Sequence, residues 1–293
     1  MRVTPPVTVL AALALLACGP ANNGNAAVPT PTPVSPPTEA LLGWTTFPAD
    51  QTPRPVVLVG NNFPTAGFAN NEDAKMAAMC HKMTTTIMPS NVVPSTANVT
   101  WSSGTKASYP SISAATALAA MMQPSQGAAS SSCVPVQPQV ATAVRWGAYE
   151  LPTDRGRAQI DSWLFTMSRI SGEIAYPALA PEAVWNADMS KASMTPGSTL
   201  SIDGLTLTFG FTGAVASGPC GSDYRGVVAE SRTAVAVALQ KTPHSAPNAN
   251  IACETIAQIR HVDVSLASPL GGRVVLDASG SFAPVCPVAK PDC

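Results

Sequence analysis

The chain has 293 residues, a formal net charge of −1 and only 11% charged side chains. Proteins that bind nucleic acid need clustered Lys and Arg to neutralise phosphates, so this composition excludes nucleic acid from the expected partners. The sequence also has no polybasic run of the kind that holds proteins on anionic lipid. An apolar content of 46% is ample for one or two hydrophobic cores.

The N-terminus has the layout of a secretory signal. Arg2 precedes an apolar run over residues 7–16, which is shorter than the roughly 20 residues that a membrane-spanning helix needs. The run leads into Leu-Leu-Ala-Cys ending at Cys18, and this tetrapeptide resembles the lipobox of bacterial lipoproteins. The resemblance implies that residues 1–17 are a removed signal peptide and that Cys18 carries a diacylglycerol. The alternative is an ordinary signal peptide that has a cysteine near its cleavage site.

Six further cysteines are present, an even number that favours three disulfides in an exported chain. Pairing of neighbours within each predicted domain predicts the bonds Cys80–Cys133, Cys220–Cys253 and Cys286–Cys293, although the sequence alone does not choose the connectivity. No Cys-x-x-Cys motif occurs, so the pattern indicates neither a thioredoxin-like redox site nor a zinc ribbon.

Residues 18–40 begin with the lipidated cysteine and continue as a tether rich in Pro, Asn, Thr and Ser. A first domain is expected over residues 41–180. It opens with a strand at residues 55–60, followed by a helix at residues 72–83 with Asn70 or Asn71 as its N-cap.

The rest of the first domain combines two hairpins and one helix. A hairpin is expected at residues 98–109 around the turn Ser103-Gly104, and Ser113 is expected to cap a helix that ends at Met122. Two long strands follow at residues 140–151 and 158–167. In the second of them, the face with Trp163, Phe165 and Met167 is predicted to meet the core.

A loop rich in proline marks a boundary, and residues 181–293 form a second domain. Leu207, Phe209 and Phe211 alternate with polar or small residues, which is typical of a half-buried strand. Further strands are expected at residues 224–230, 233–239, 262–266 and 273–276, and short connections favour antiparallel pairing. The predicted fold class is α+β, with an N-terminal α+β domain followed by a small, mostly antiparallel β domain.

Two longer segments carry a second resemblance. TDRGRAQIDSWLF, together with the C-terminal run that ends in IRHVDVSLASPLGGRVVLDA, resembles uncharacterised secreted lipoproteins of actinobacterial type. The pattern spans roughly residues 95–285 and consists of strands, turns and cysteine positions. Because that family has no assigned activity, the resemblance implies export and a β-rich body but no catalytic residue.

The densest cluster of soft ligands is Met76, Met79, His81 and Met83 around Cys80. Thioether, thiolate and imidazole groups select Cu(I), which an exported protein can encounter. Methionines at helical spacing are also ordinary core residues, and a disulfide would remove Cys80 as a ligand. A copper site here requires a solvent-accessible Met/His face with Cys80 reduced.

Hydrolase chemistry would depend on one of three histidines, His81, His244 or His261. No Gly-x-Ser-x-Gly motif occurs, and a Ser-His-Asp set assembled from separate loops is recognised by geometry rather than by spacing. Such a site requires His244 or His261 within hydrogen-bond reach of a serine and a carboxylate. The sequence itself predicts no catalytic residue.

Two other groups allow both a functional and a structural interpretation. Glu150, Asp154 and Asp161 flank one hairpin, where paired carboxylates could serve glycoside chemistry or merely keep a sheet edge soluble. Trp146 and Trp163 could line a ligand groove, although aromatic residues in strands more often belong to a core.

Together these observations predict a non-enzymatic binding or scaffolding lipoprotein, exported and lipid-anchored to the outer face of a bacterial membrane. Its expected partners are the membrane, through the lipid, and an unknown protein or envelope ligand, and no cofactor is predicted. A copper-binding lipoprotein is the first alternative and an unrecognised hydrolase is the second.

Overall fold

The computed structural model describes residues 31, 33–59, 76–77, 80, 82–123, 137–168, 173–185, 196–245, 257–286 and 288. Strands account for 48% of these described residues and form several sheets, and helices account for 11%. The predicted α+β class is therefore wrong, and the protein is mostly β. No helix within the described ranges combines the length and apolarity that a membrane span requires.

The strands whose bounds are described are β1 (Val56–Val57), β2 (Met83–Thr85), β3 (Ala97–Trp101), β4 (Lys106–Tyr109), β5 (Gln139–Thr153), β6 (Gly156–Met167), β7 (Glu173–Pro177), β8 (Val184–Trp185), β9 (Ser198–Leu200), β10 (Thr206–Gly213), β11 (Ser222–Glu230), β12 (Ala234–Pro243), β13 (Gln258–Ser265), β14 (Val274–Asp277) and β15 (Val285–Cys286). The helices whose bounds are described are α1 (Ala114–Met122) and two 3-10 helices, Thr38–Trp44 and Pro181–Ala183, and residues 76–77 are helical as well.

The largest sheet has the strand order β2-β5-β6-β3-β4, and β7 also pairs with β6. The long antiparallel hairpin of β5 and β6 confirms the two strands predicted there, and its turn contains Gly156 with a φ of 80°. Both faces of β6 are covered. Phe165 packs in the cluster that includes α1, whereas Ile160 packs in a cluster with residues of β1 and β3. The prediction that one face of β6 meets the core was therefore incomplete.

Helix α1 forms where the sequence predicts it. The Ser113 side chain accepts a hydrogen bond from the Thr116 amide at 3.1 Å, and Leu118 and Met121 are buried against the sheet. The helix predicted over residues 72–83 ends too late, because Met83 begins strand β2 and pairs in parallel with β5. Residues 76 and 77 are helical as predicted, so strand pairing replaces the predicted helix at Met83, and most of that segment lies outside the described residues.

The C-terminal part contains two sheets, β13-β10-β9-β15 and β11-β12-β14. Leu207, Phe209 and Phe211 of β10 pack against Val235 and Val237 of β12, so the strand alternation predicted for β10 is confirmed. The expectation of antiparallel pairing holds for β10–β13 and β11–β12 but is wrong for β14, which pairs in parallel with β12. Between β12 and β14 the chain passes through β13 in the other sheet. Because β13 carries the chain back, β14 runs in the same direction as β12.

The N-terminal segment completes a core on the sheet β11-β12-β14. Trp44 and Phe47 pack in one cluster with Ala234, Leu276 and Phe282. The Trp44 and Phe282 rings meet edge to face with their centroids 5.2 Å apart. Residues from both predicted domains therefore share this core, and the division at residues 180–181 stays a prediction.

Candidate ligand-binding cleft

A cleft of about 610 Å³ is bordered by four parts of the chain. They are residues 49–54, the β3–β4 hairpin, the β5–β6 turn at Arg155, and C-terminal residues that include Leu200 of β9, Val285 of β15 and Gly272. A cleft of this size falls in the range of small-molecule sites, which combine apolar walls with a few converging polar groups.

The lining residue Arg54 belongs to a largely buried ion pair with Asp154. Arg54 Nη2 donates to both carboxylate oxygens of Asp154, at 2.9 and 2.7 Å. Asp154 is only 3% exposed, so the interpretation of this residue as surface charge was wrong. Asp154 lies in the β5–β6 turn, and backbone hydrogen bonds join it to the chain on both sides. Its amide donates to Val57 O, and its carbonyl accepts from the Val285 amide. The Arg54 guanidinium also lies over the Phe47 ring, 5.4 Å from its centroid.

Arg155 places a second guanidinium on the same lining. Its Nη2 donates to the carbonyl oxygens of Gly271 at 2.6 Å and Arg273 at 2.8 Å. The closest carboxylate atom is Asp154 Oδ2, 3.8 Å from Nε and beyond hydrogen-bond distance. Burial lowers the pKa of Arg155 to about 10, which leaves the group protonated at neutral pH. Arg155 is therefore a cation held by backbone carbonyls.

The β3–β4 hairpin contributes an indole, an amine and a phenol. The Tyr109 hydroxyl donates to Arg54 O at 2.8 Å, and burial raises the pKa of Tyr109. Lys106 is exposed and forms no ion pair with a described residue. Trp101 Nε1 and Arg54 Nη1 are both buried and have no hydrogen-bond partner among the described residues. Two residues of the lining thus hold N–H groups without an acceptor.

Positive charge predominates around the cleft although the whole chain is nearly neutral. The lining contains Arg54, Lys106 and Arg155, and its one acidic residue is Asp50. Asp50 is 74% exposed and lies 3.8 Å from Arg232. Because Arg54 is already hydrogen-bonded to Asp154, Lys106 and Arg155 are the two lining cations that are left to bind a ligand.

His244 has the wrong surroundings for a general base. Its Nε2 lies 3.2 Å from Asp223 Oδ1, and its Nδ1 lies 3.1 Å from Gly218 O. Both partners are acceptors, so the doubly protonated ring satisfies them best. The hydrogen bonds to Asp223 and then Gly218 raise the pKa of His244. The nearby Ser245 hydroxyl donates to a backbone carbonyl at 2.6 Å and not to the ring.

The other predicted hydrolase residues do not form a catalytic set either. His261 is exposed on β13, opposite Gly210, while His81 lies outside the described residues. Glu150 forms an ion pair with Arg157, and Asp161 accepts hydrogen bonds from the backbone and side chain of Asn98. These two carboxylates therefore have separate partners and separate structural roles.

The predicted soft-metal residues are divided between core and undescribed positions. Met83 is 6% exposed and packs in the cluster that includes Phe165, as expected for a core methionine. Cys80 is disulfide-bonded and 3% exposed, so it does not offer a free thiolate. Met76 is half-buried, and Met79 and His81 lie outside the described residues. Within the described ranges, no group of three or more His, Cys, Asp or Glu could hold a metal.

Cys80, Cys220 and Cys286 are each disulfide-bonded. The cysteines predicted to pair with them, Cys133, Cys253 and Cys293, lie outside the described residues, as does the lipidation candidate Cys18. The connectivity and the lipid attachment therefore stay predictions.

Trp146 and Trp163 belong to the large sheet and not to the cleft. Their rings meet edge to face at 4.9 Å, and Trp163 Nε1 donates to Ile112 O at 2.9 Å. The tryptophan at the cleft is Trp101, which the sequence did not single out. The available signal was weak: Trp101 and Lys106 flank the predicted turn at Ser103-Gly104.

The described residues thus define a mostly β protein with a cationic cleft beside its C-terminal sheets. No family model, curated protein or solved structure matches the chain. The cleft is accordingly interpreted from its own chemistry.

Proposed function

We propose that this protein is a lipid-anchored binding module of the bacterial cell envelope and that the cleft is its ligand site. The observation that carries this proposal is the 610 Å³ cleft, in which apolar walls meet polar groups from Arg54, Trp101 and Arg155. Convergence of a few polar groups on a partly apolar concavity is typical of small-molecule sites. Guanidinium, ammonium and indole groups bind and orient a ligand, so binding is the activity that this lining supports best.

The position at the membrane rests on the sequence. The short apolar run before Cys18 supports export, and the resemblance of Leu-Leu-Ala-Cys to a lipobox supports attachment of a diacylglycerol. Two acyl chains hold a folded domain on a bilayer stably, whereas one chain is marginal. The predicted tether, residues 18–40, would separate the cleft from the lipid surface, although its last three residues already belong to the 3-10 helix Thr38–Trp44.

Detergent partition of the protein expressed in a bacterial host tests the anchor. Wild type should enter the detergent phase of Triton X-114, and the Cys18→Ser variant should be exported and remain in the aqueous phase. Wild type that stays in the aqueous phase and has the mass of an unmodified chain would contradict the lipid anchor.

A neutral probe tests the cleft itself. Using the exported Cys18→Ser protein, ligand-detected NMR with n-hexanol should show binding that the cleft-filling variant Ala107→Trp abolishes. Ala143→Trp is the matched control, because Ala143 is exposed on β5 and does not line the cleft. Binding that persists in Ala107→Trp, or no binding to the parent protein, would contradict the proposed site.

A further inference from the structure

We infer that the ligand of the cleft is an organic anion, with a carboxylate or phosphate group bound between Arg155 and Lys106. This inference rests on the proposed function, since it names the chemical class that the same cleft would accept. The apolar part of the ligand would lie along Ala107, Leu200 and Val285, which belong to the same lining.

The first argument is the state of the two cations. Arg155 is 20% exposed, and its hydrogen bonds go to two backbone carbonyls and not to a carboxylate. Lys106 has no ion pair with any described residue. A guanidinium that is fixed in position and partly buried binds an oxyanion more strongly than a freely hydrated one, because its orientation and dehydration precede binding.

The second argument is the distribution of acids. Arg54 is neutralised by Asp154 through two hydrogen bonds, so this pair adds little net charge to the cleft. Asp50 is exposed and lies near Arg232. Hence Asp50 is the one carboxylate among the described lining residues, and the two cations Lys106 and Arg155 favour an anionic ligand over a cationic one.

The third argument is the pair of N–H groups without acceptors. Trp101 Nε1 and Arg54 Nη1 both belong to residues of the lining, and neither has a hydrogen-bond partner in the part of the chain that the structure describes. Buried donors without acceptors are rare in folded proteins, and an oxyanion supplies the kind of acceptor that they lack. Because both atoms are buried, we expect the lining to shift slightly when the ligand binds.

Three probes of equal chain length separate the possible outcomes: n-hexanol, hexanoate and hexyl phosphate. Dissociation constants are measured by NMR titration of the exported Cys18→Ser protein at low ionic strength. At least one anion should bind about tenfold more tightly than n-hexanol, since a charge-assisted hydrogen bond is about twice as strong as a neutral one. The stronger of hexanoate and hexyl phosphate identifies the head group.

Two variants and one control locate the anion. Lys106→Ala should weaken anion binding about two- to fivefold, as expected for a solvent-exposed cation. Trp101→Phe should weaken it about three- to tenfold by removing one donor. Lys241→Ala makes the same change of charge at an exposed lysine outside the cleft and should leave binding unchanged.

The results separate this inference from the function on which it rests. If n-hexanol binds in the cleft as tightly as both anions, the site stands and the anion inference is overturned. Anion binding that neither Lys106→Ala nor Trp101→Phe weakens would also overturn the anion inference. If n-hexanol does not bind, or binds equally well to Ala107→Trp, the proposed function itself fails.

Discussion

A matched pair of tryptophan substitutions tests whether Trp101 Nε1, an N–H donor at the cleft, lacks a hydrogen-bond acceptor. Trp101 and Trp163 are both half-buried residues of the same large sheet. Trp163 Nε1 donates to Ile112 O at 2.9 Å, whereas Trp101 Nε1 has no hydrogen-bond partner within the described ranges. Phenylalanine removes the same ring atoms and the same N–H group at either position, so the two changes differ mainly in the hydrogen bond.

The two variants should therefore differ in free energy of unfolding. Trp163→Phe loses a hydrogen bond of about 0.5–1.5 kcal/mol and leaves a carbonyl without its donor. Trp101→Phe instead removes a buried donor that costs about 1–3 kcal/mol while it lacks an acceptor. We expect Trp101→Phe to be more stable than Trp163→Phe by about 2–4 kcal/mol in the absence of ligand.

Urea unfolding followed by far-UV circular dichroism measures this difference without relying on tryptophan fluorescence. The exported Cys18→Ser protein is the parent, and comparable m values in all three proteins are required for the comparison. Equal destabilisation by the two substitutions would refute the reasoning, because Trp101 Nε1 would then be hydrogen-bonded as well as Trp163 Nε1 is.

Three further predictions concern the surroundings of the cleft and the C-terminal sheets. Asp154→Asn should lower the free energy of unfolding by about 3 kcal/mol, because the buried Arg54 guanidinium loses its counter-ion. Urea unfolding measures this loss, and a loss below about 1 kcal/mol would contradict the prediction. The hydrogen bond to Asp223 raises the pKa of His244, so the stability that the protonated ring adds is fully present below about pH 6.5 and is lost as pH rises through the raised pKa. His244→Gln should therefore lower the melting temperature at acidic pH and leave it unchanged at alkaline pH, and the opposite dependence would show that the sign is wrong. Gly272→Ala should destabilise by about 1–3 kcal/mol in the same assay because the new Cβ would lie 1.9 Å from a backbone oxygen, whereas Gly43→Ala, with open space around it, should be nearly neutral.

Local patterns in the sequence predicted the strands well. The alternation of Leu207, Phe209 and Phe211 depends on neighbouring residues alone, and the structure buries all three in one core. The Ser103-Gly104 turn was recognised for the same reason, since Gly104 adopts a φ of 86° that few other residues tolerate. Such features need no information about distant parts of the chain.

The errors concern features that distant residues decide. Met76 and Met83 have helical spacing, but Met83 pairs with Gln139 in a parallel ladder, and this partner is not visible from local periodicity. The parallel pairing of β12 and β14 depends in the same way on a crossover through another sheet. Local periodicity therefore extended the first predicted helix too far and did not reveal how many residues pair in sheets, so the predicted fold class was wrong.

The cleft was missed for a related reason. Arg54 and Asp154 are separated by 100 positions, and neither belongs to a recognisable motif. Arg155 meets its carbonyl partners across more than a hundred residues as well. The chemistry of the cleft arises only when the N-terminal segment, the β5–β6 turn and the C-terminal sheets come together.

The most direct test of the central claim is a crystal structure of the exported Cys18→Ser protein with hexyl phosphate. The account predicts the phosphate between Lys106 and Arg155, with the alkyl chain along Ala107 and Val285. A phosphate bound elsewhere, with the cleft unchanged from that of the protein without the compound, would contradict the assignment of this cleft as an organic-anion site.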